Sequence, residues 1–395
     1  MITETMIQEF IPYAKQSIDS SDSSAVSQAL LAPIITRGPL VEEFEREISS
    51  YCGAKYAVAF NSGSTALLAA CHAAKVNPFD RLISTPNTFV STVGTGVHYQ
   101  ATPVFVDIDR STGNFNLQMV EYATEKSYSR GRSVIMPVHF SGIPVDMAAF
   151  DRMISDPNTV VIEDAAHAIG SHYADGQKVG CCAWSQMTIF SFHPAKTITT
   201  GEGGMVTTND DSLYHELKRF RNNGIERDLK YLEGEAAPWY YEVQELTNNY
   251  NFTEFQAALG LSQFKRIPLF IEKRRQLVSA YRERLKDIPS IKTFTDEFDK
   301  TSAFHLFVVQ IDFAACKTSR SDVMNRLKAQ GIGTQVHYIP VYRHPSFRKR
   351  FGDLTPYFPE MEAYYAQALT LPLYYDLTIE DVDRIVHELR SALAV

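Results

Sequence analysis

The chain has 395 residues, 45% hydrophobic and 21% charged, with a formal net charge of -8 and a sequence pI near 5.8. That length accommodates two domains with ample core, and the acidic balance argues against nucleic acid or an anionic membrane surface as partner. Five cysteines without a Cys-x-x-Cys spacing indicate neither a disulfide framework nor a zinc site.

Residues 1–20 place Glu4, Glu9, Lys15 and Asp19 among the apolar positions, so neither a signal peptide nor a spanning helix is expected, and a cytoplasmic location fits. From residue 56 to 208, short β-branched runs alternate with helical patterns. Strands are expected at 56–60, 103–107 and 134–138, followed by helical segments at 65–74, after Asn116 and past Val145. Further strands are expected at 160–162, 187–190 and 203–208. Such alternation builds a mostly parallel sheet covered by helices. A helix carrying Leu213, Leu217 and Phe220 leads into a polar stretch, 222–251, that reads as a long loop. Loops of that length are functional or reach a neighbour. Helical patterns resume at 255–264 and 274–285, the latter opened by a basic Lys273-Arg274-Arg275 that reads as a solvated face. A strand at 304–311, a helix at 321–330 and a terminal helix from Thr378 indicate a smaller α+β unit, giving expected domains of 1–265 and 266–395.

Two residues carry the strongest chemical signal. Lys196 lies in Phe190-Ser191-Phe192-His193-Pro194-Ala195-Lys196-Thr197, just before Gly201-Glu202-Gly203-Gly204, and Asp164 ends the run Val161-Ile162-Glu163-Asp164. Together they are what pyridoxal phosphate (PLP) chemistry needs: an amine to condense with the cofactor aldehyde, and a carboxylate to keep the pyridine nitrogen protonated. Taken singly, such a lysine is a solvated charge and such an aspartate a helix cap. Asn61-Ser62-Gly63-Ser64-Thr65 follows a strand and opens an alanine- and leucine-rich helix, which offers N–H groups and a helix dipole to a phosphate. Taken alone the segment reads as a capped strand-to-helix turn, and Lys196 with Asp164 turns the reading toward the phosphate. Phe89, after Pro86-Asn87-Thr88, is placed to stack on a planar ring, and Ser191 to donate to the phosphate. His167, three residues after Asp164, is placed to reach the phenolic oxygen of the cofactor. In isolation these three read as a core ring, a strand-end hydroxyl and a satisfied histidine. Arg221 is a candidate for a substrate carboxylate or diphosphate, or else a surface charge. The eleven histidines show no metal-ligand spacing, and no metal is expected.

These segments, with Asn249-Tyr250-Asn251-Phe252-Thr253-Glu254-Phe255-Gln256-Ala257-Ala258-Leu259-Gly260, Gln335-Val336-His337-Tyr338-Ile339-Pro340 and Leu371-Pro372-Leu373, resemble in order the signatures of the DegT/DnrJ/EryC1/StrS family of PLP-dependent nucleotide-sugar aminotransferases. The resemblance runs from near residue 10 to the last helix. It implies the α/β fold of aspartate aminotransferase (fold type I), with a large mixed-sheet domain and a smaller C-terminal α+β domain. It also implies a homodimer with active sites shared at the subunit interface. By resemblance, Lys196 is the Schiff-base lysine, Asp164 the pyridinium partner, and Gly63, Ser64 and Ser191 the holders of the phosphate. Phe89 then covers the ring, His167 faces the phenolic oxygen, and Asn249 reaches the phosphate of the other subunit.

Two positions depart from the family pattern: Asn251 stands where many members carry arginine, and His167 where many carry glutamine. Histidine is familiar there in branches acting on C4 of UDP-sugars. The segments 11–18, 38–45, 197–200 and 335–342 are most similar to the pseudaminic-acid branch. That similarity implies transfer of an amino group from L-glutamate, released as 2-oxoglutarate, to C4 of a UDP-4-keto-6-deoxy-N-acetylhexosamine. Competing readings are another sugar aminotransferase of the family, making a 4-amino-4-deoxy-arabinose, bacillosamine, legionaminic or perosamine type of product, a PLP-dependent sugar dehydratase, and a non-catalytic PLP-binding regulator. Intact Lys196 counts against the dehydratase, and Lys196 with Asp164 against the regulator.

Overall fold

The computed structural model describes residues 9–125, 131–235 and 237–394. Residues 1–8, part of the opening segment weighed for a targeting sequence, lie outside them. Strands β1 (Tyr56–Phe60), β2 (Arg81–Ser84), β3 (Thr102–Phe105), β4 (Ser133–Met136), β5 (Val160–Asp164), β6 (Met187–Ser191) and β7 (Gly204–Thr208) form a sheet of order β1-β7-β6-β5-β4-β2-β3. The five strands β3, β2, β4, β5 and β6 run parallel, whereas β7 is antiparallel to both β1 and β6. The sheet is mixed, and its parallel part needs cover on both faces. Along β4, Val134 and Met136 enter one core while Ile135 enters the other, the period of two that a strand imposes.

Helices α1 (Ser20–Leu30), α2 (Pro39–Cys52), α3 (Gly63–Ala73), α4 (Val90–His98), α5 (Leu117–Glu125), α6 (Met147–Met153) and α7 (Asp211–Arg221) accompany this sheet. On one face Leu67 and Ala70 of α3 join Val134, Ile162 and Ile189; on the other Phe44 and Ile48 of α2 join Ile83, Ile135 and Phe190. The first turn of α3 begins at Gly63, ahead of the expected Thr65, because Ser62 is its cap. Ser62 Oγ accepts from the Thr65 N–H (3.2 Å) while the Ser62 N–H donates to Thr65 Oγ1 (3.0 Å), a reciprocal pair that satisfies two free donors.

Past α7, the stretch read as a long loop contains the short pair β8 (Ile225–Glu226) and β9 (Glu242–Val243). Then come α8 (Glu254–Lys265) and α9 (Ile267–Leu285). Strands β10 (Ile291–Thr293), β11 (Phe307–Ile311) and β12 (Ala368–Leu371) form an antiparallel sheet accompanied by α10 (Arg320–Ala329), α11 (Pro345–Phe351), α12 (Pro359–Gln367) and α13 (Ile379–Leu393). Leu277, Tyr281, Val309, Leu327 and Leu389 build a third core here, which Ile11 joins by pairing with Ile332. The strand expected from 304 begins only at Phe307, since Phe304 has φ +49° and cannot extend it.

Arg274 also departs from expectation. It is buried at 2% exposure, and its Nη1 donates to the carbonyls of Phe304, His305 and Leu373 at 3.2, 3.2 and 3.0 Å. Among the described residues no helix is long and apolar enough to cross a membrane.

Candidate active site

The C-terminal ends of β5 and β6, the N-termini of α3 and α4, and the segment 335–339 enclose one cavity of about 660 Å³, a size suited to a cofactor and a small substrate. Gly63, Ser64, Phe89, Asp164, His167, Ser191 and Lys196 all line it. Asn249 does not. It is exposed, its backbone bridged to Asn222 and its Oδ1 accepting from the Asn251 N–H at 3.0 Å. Arg221 is also elsewhere, which removes it as a substrate ligand and as a surface charge alike. It is 5% exposed, ion-paired with Glu45, and donates to the Ala59 carbonyl at 3.0 Å.

Lys196 sits in a loop tied back on itself. The Phe192 N–H donates to Gly203 O (2.9 Å), the Thr200 N–H to Phe192 O (3.1 Å), and the Lys196 N–H to His193 O (2.8 Å). The glycines are required by close approach as well as by the turn: a Cβ on Gly204 would lie 2.4 Å from Ser62 O, against the loop that opens α3. Burial lowers the Lys196 amine from its ordinary value to about 8, with the charge of Asp164 opposing that shift. A lysine so placed supplies neutral amine near physiological pH, the form that attacks a carbonyl or takes a proton.

Asp164 is 4% exposed, and β5 delivers it with both oxygens held: Thr92 Oγ1 donates to Oδ2 at 2.6 Å and the Ala166 N–H to Oδ1 at 3.0 Å. Its backbone is clamped by Pro137 O (2.8 Å) and the His139 N–H (3.0 Å). Burial raises its pKa against the lowering effect of those donors and of Lys196, so the site favours a cation beside this carboxylate. Behind it, Glu163 is fully buried and accepts from His139, Tyr173, Ser185 and Thr188.

His167 is 7% exposed, and burial holds it well below the usual histidine range. The Ser141 N–H donates to Nδ1 (3.2 Å), so the neutral ring carries its proton on Nε2, 3.0 Å from the Tyr338 hydroxyl. At the other end of the cavity Ser64 Oγ, in the first turn of α3, meets Ser91 Oγ, in the first turn of α4, at 2.7 Å. Ser191 lies against Gly63 so closely that a Cβ there would be 2.8 Å from Ser191 Cβ. Phe89 is 56% exposed although it lines the cavity, a large ring left bare in the wall.

This donor set fits PLP: hydroxyls and free N–H groups at a helix N-terminus for the phosphate, a bare ring for the planar face, a buried carboxylate for the pyridinium, and an amine for the aldehyde. Sequence reasoning missed Ser91, Thr92, Tyr13 and His305, which also line the cavity. Ser91 and Thr92 follow Phe89 at a strand-to-helix junction like that of Ser62 and Gly63, and this repeated pattern was the available signal.

A family model described as the DegT/DnrJ/EryC1/StrS aminotransferase family matches residues 16–390. The chain belongs to this family. It is a PLP-dependent sugar aminotransferase with the mixed-sheet α/β fold of that group. Among its relatives is the spore coat polysaccharide biosynthesis protein SpsC of Bacillus subtilis, 36% identical over 97% of this chain and 97% of that protein. Among solved structures, PseC of Helicobacter pylori, an aminotransferase involved in the biosynthesis of pseudoaminic acid, is 29% identical with a TM-score of 0.87, covering 98% of this chain and 100% of that one. A putative sugar aminotransferase of Streptococcus pneumoniae in its PMP form is 28% identical with a TM-score of 0.87, covering 98% of each chain.

Proposed function

We propose that the enzyme moves the amino group of L-glutamate to C4 of a UDP-linked 4-keto-6-deoxy-N-acetylhexosamine, an acceptor of the pseudaminic-acid type. The observation that carries this reading is the cavity wall: Gln335, Val336, His337, Tyr338 and Ile339, from the run most similar to that branch, line the same cavity as Lys196 and His167. The likeness to PseC over 98% of the chain supports it.

PLP supplies an aldehyde that accepts the amine and a ring that draws electrons from the reacting carbon. The residues divide the remaining work. Lys196 Nζ is the base that takes the proton from Cα of the donor and, in the second half-reaction, works in the reverse direction on the sugar carbon. Asp164 would hold its negative charge beside the pyridine nitrogen. Ser64, Ser191 and the N–H groups around Gly63 would hold the phosphate, Phe89 would cover the ring, and His167, whose Nε2 meets the Tyr338 hydroxyl, would face the phenolic oxygen.

The working unit in this reading is a homodimer with shared sites, of two-domain subunits divided at 265/266. Asn249 reaches the cofactor phosphate in the second subunit. Supporting this, Asn249 is exposed and shares its loop with Leu229, Trp239 and Leu246, which are 71%, 77% and 98% exposed, more bare apolar surface than an isolated chain favours. The five free thiols, four of them buried, fit a cytoplasmic setting.

The test is a panel of UDP- and dTDP-linked keto sugars incubated with the enzyme and L-glutamate, with products identified by mass spectrometry and NMR. The reading expects C4 amination of the UDP-4-keto-6-deoxy-N-acetylhexosamine with the highest kcat/KM. Preference for a dTDP-3-keto sugar or a UDP-4-keto pentose would move the enzyme to another branch.

A further inference from the structure

We infer that His305 is a positioning residue for Lys196: its Nε2 receives the lysine amine whenever that amine is not bonded to the cofactor, and keeps it at the cavity wall where the proton must be taken and returned. This rests on the reading of Lys196 as the reacting lysine. Nζ of Lys196 lies 3.5 Å from His305 Nε2, and among the described residues it makes no other hydrogen bond. The distance is longer than that of a settled hydrogen bond, as catalytic contacts often are before substrate closes a site.

The residue is buried and its backbone is held on both sides. His305 is 4% exposed, its N–H donates to Ser141 O at 2.9 Å, and its carbonyl accepts from Arg274 Nη1 at 3.2 Å. Its imidazole meets that of His167 at a tilt, with ring centroids 4.4 Å apart and planes 45° from parallel. The backbone that carries it turns at Phe304, whose φ of +49° aims the following residue toward the cavity and away from the strand line of β11.

His305 is also built to stay neutral. Its Nδ1 has no hydrogen-bond partner among the described residues, so no carboxylate draws a second proton onto the ring. The charged and titratable groups facing it are Lys196 from the loop after β6, Arg274 from α9, His167 from the segment after β5, and His337 from the segment after α10. The cations among these oppose a positive imidazole, and burial adds to the effect. Asp164, the carboxylate that acts on Lys196, is taken by Thr92 and Ala166. A neutral imidazole accepts from an ammonium at Nε2 or, in the other tautomer, donates to a neutral amine at the same atom. It can therefore hold Nζ before and after the proton arrives, more strongly as the ammonium, whose hydrogen bond carries a full charge. Packing alone would require only a flat ring at this position, and the two roles are separable.

The experiment compares wild type with His305→Phe, which keeps the ring and loses the nitrogen, and His305→Gln, whose amide reaches the place of Nε2. The holoenzyme is first converted by glutamate to its amino form, which leaves the Lys196 amine free. Cyanate then labels that amine as a function of pH, read from the mass of the Lys196 peptide. In His305→Phe the labelling midpoint falls by about one pH unit, because the ammonium has lost its acceptor, and kcat falls roughly 10- to 100-fold while KM for both substrates stays within about threefold. His305→Gln restores most of both. Should His305→Phe not fold, as judged by circular dichroism, His305→Ala serves in its place, with the same expected direction. An unmoved midpoint together with a kcat within about threefold of wild type in the folded variant overturns the inference. Borohydride reduction of the wild-type holoenzyme separates this from the functional reading: cofactor fixed to a lysine other than Lys196 defeats that reading instead.

Discussion

Gly63→Ala tests the phosphate cradle with a single methyl group. The added Cβ would lie 2.8 Å from Ser191 Cβ, 3.0 Å from Ser191 Oγ and 3.4 Å from Ser191 Cα, whereas carbon atoms settle at about 3.5–4.0 Å. Rotating Ser191 relieves only the Oγ contact. Its Cβ and Cα belong to β6, which is paired to β5 on one side and β7 on the other, so α3 is the element that yields, by up to about 1 Å on that contact range. Overpacking of this kind costs about 1–3 kcal/mol of stability. The same shift carries the first-turn N–H groups and the Ser64 hydroxyl away from the phosphate position, and losing one charge-assisted hydrogen bond of about 1.5–3 kcal/mol weakens PLP roughly 10- to 100-fold. The assay is titration of cofactor-stripped protein with PLP, followed by absorbance, alongside thermal melts of both forms. Wild-type affinity in a correctly folded Gly63→Ala protein would refute the placement of the phosphate between α3 and β6.

Asp164→Asn keeps the shape of a side chain whose two oxygens already have donors, but removes its charge; both half-reactions slow by roughly 100- to 1000-fold in stopped-flow absorbance while PLP stays bound. His337 is 7% exposed and lowered by burial from 6.5 to about 3. The unfolded chain binds this proton below pH 6.5 while the folded chain does not, so stability is lost as pH falls through that value, by about 2 kcal/mol at pH 5. Urea unfolding at pH 7 and pH 5 checks this: His337→Gln loses less stability on acidification than wild type. Mixing Lys196→Ala with Asn249→Ala, each strongly impaired alone, restores activity in exchanged dimers if the sites are shared; verified exchange without recovery counts against sharing.

The local junctions were legible in the chain. The turn at 61–65, the acidic end of β5 and the 190–204 loop each depend on neighbours a few residues away, and each led to a residue that lines the cavity. What the sequence could not show were contacts made across long separations. Arg221 meets Glu45 and Ala59, Arg274 meets the carbonyls of Phe304, His305 and Leu373, and Lys196 meets His305; none of these pairings has a local periodicity to announce it. Helix α2 was within reach, with Pro39 at its first turn, Phe44 and Ile48 one turn apart, and Gly53 at φ +78° closing it. Strand β10, of three residues, is too brief to establish a period of two, and β12 starts directly where α12 ends, with no turn residues to mark it.

The central claim, that Lys196 carries the cofactor and surrenders it to the amino donor, is tested most directly by borohydride reduction followed by peptide mass mapping. The resting holoenzyme should yield the pyridoxyl mass on the peptide containing Lys196, and enzyme treated first with L-glutamate should yield that peptide unmodified. Label on any other lysine, or label on Lys196 that persists after saturating glutamate, would contradict the account.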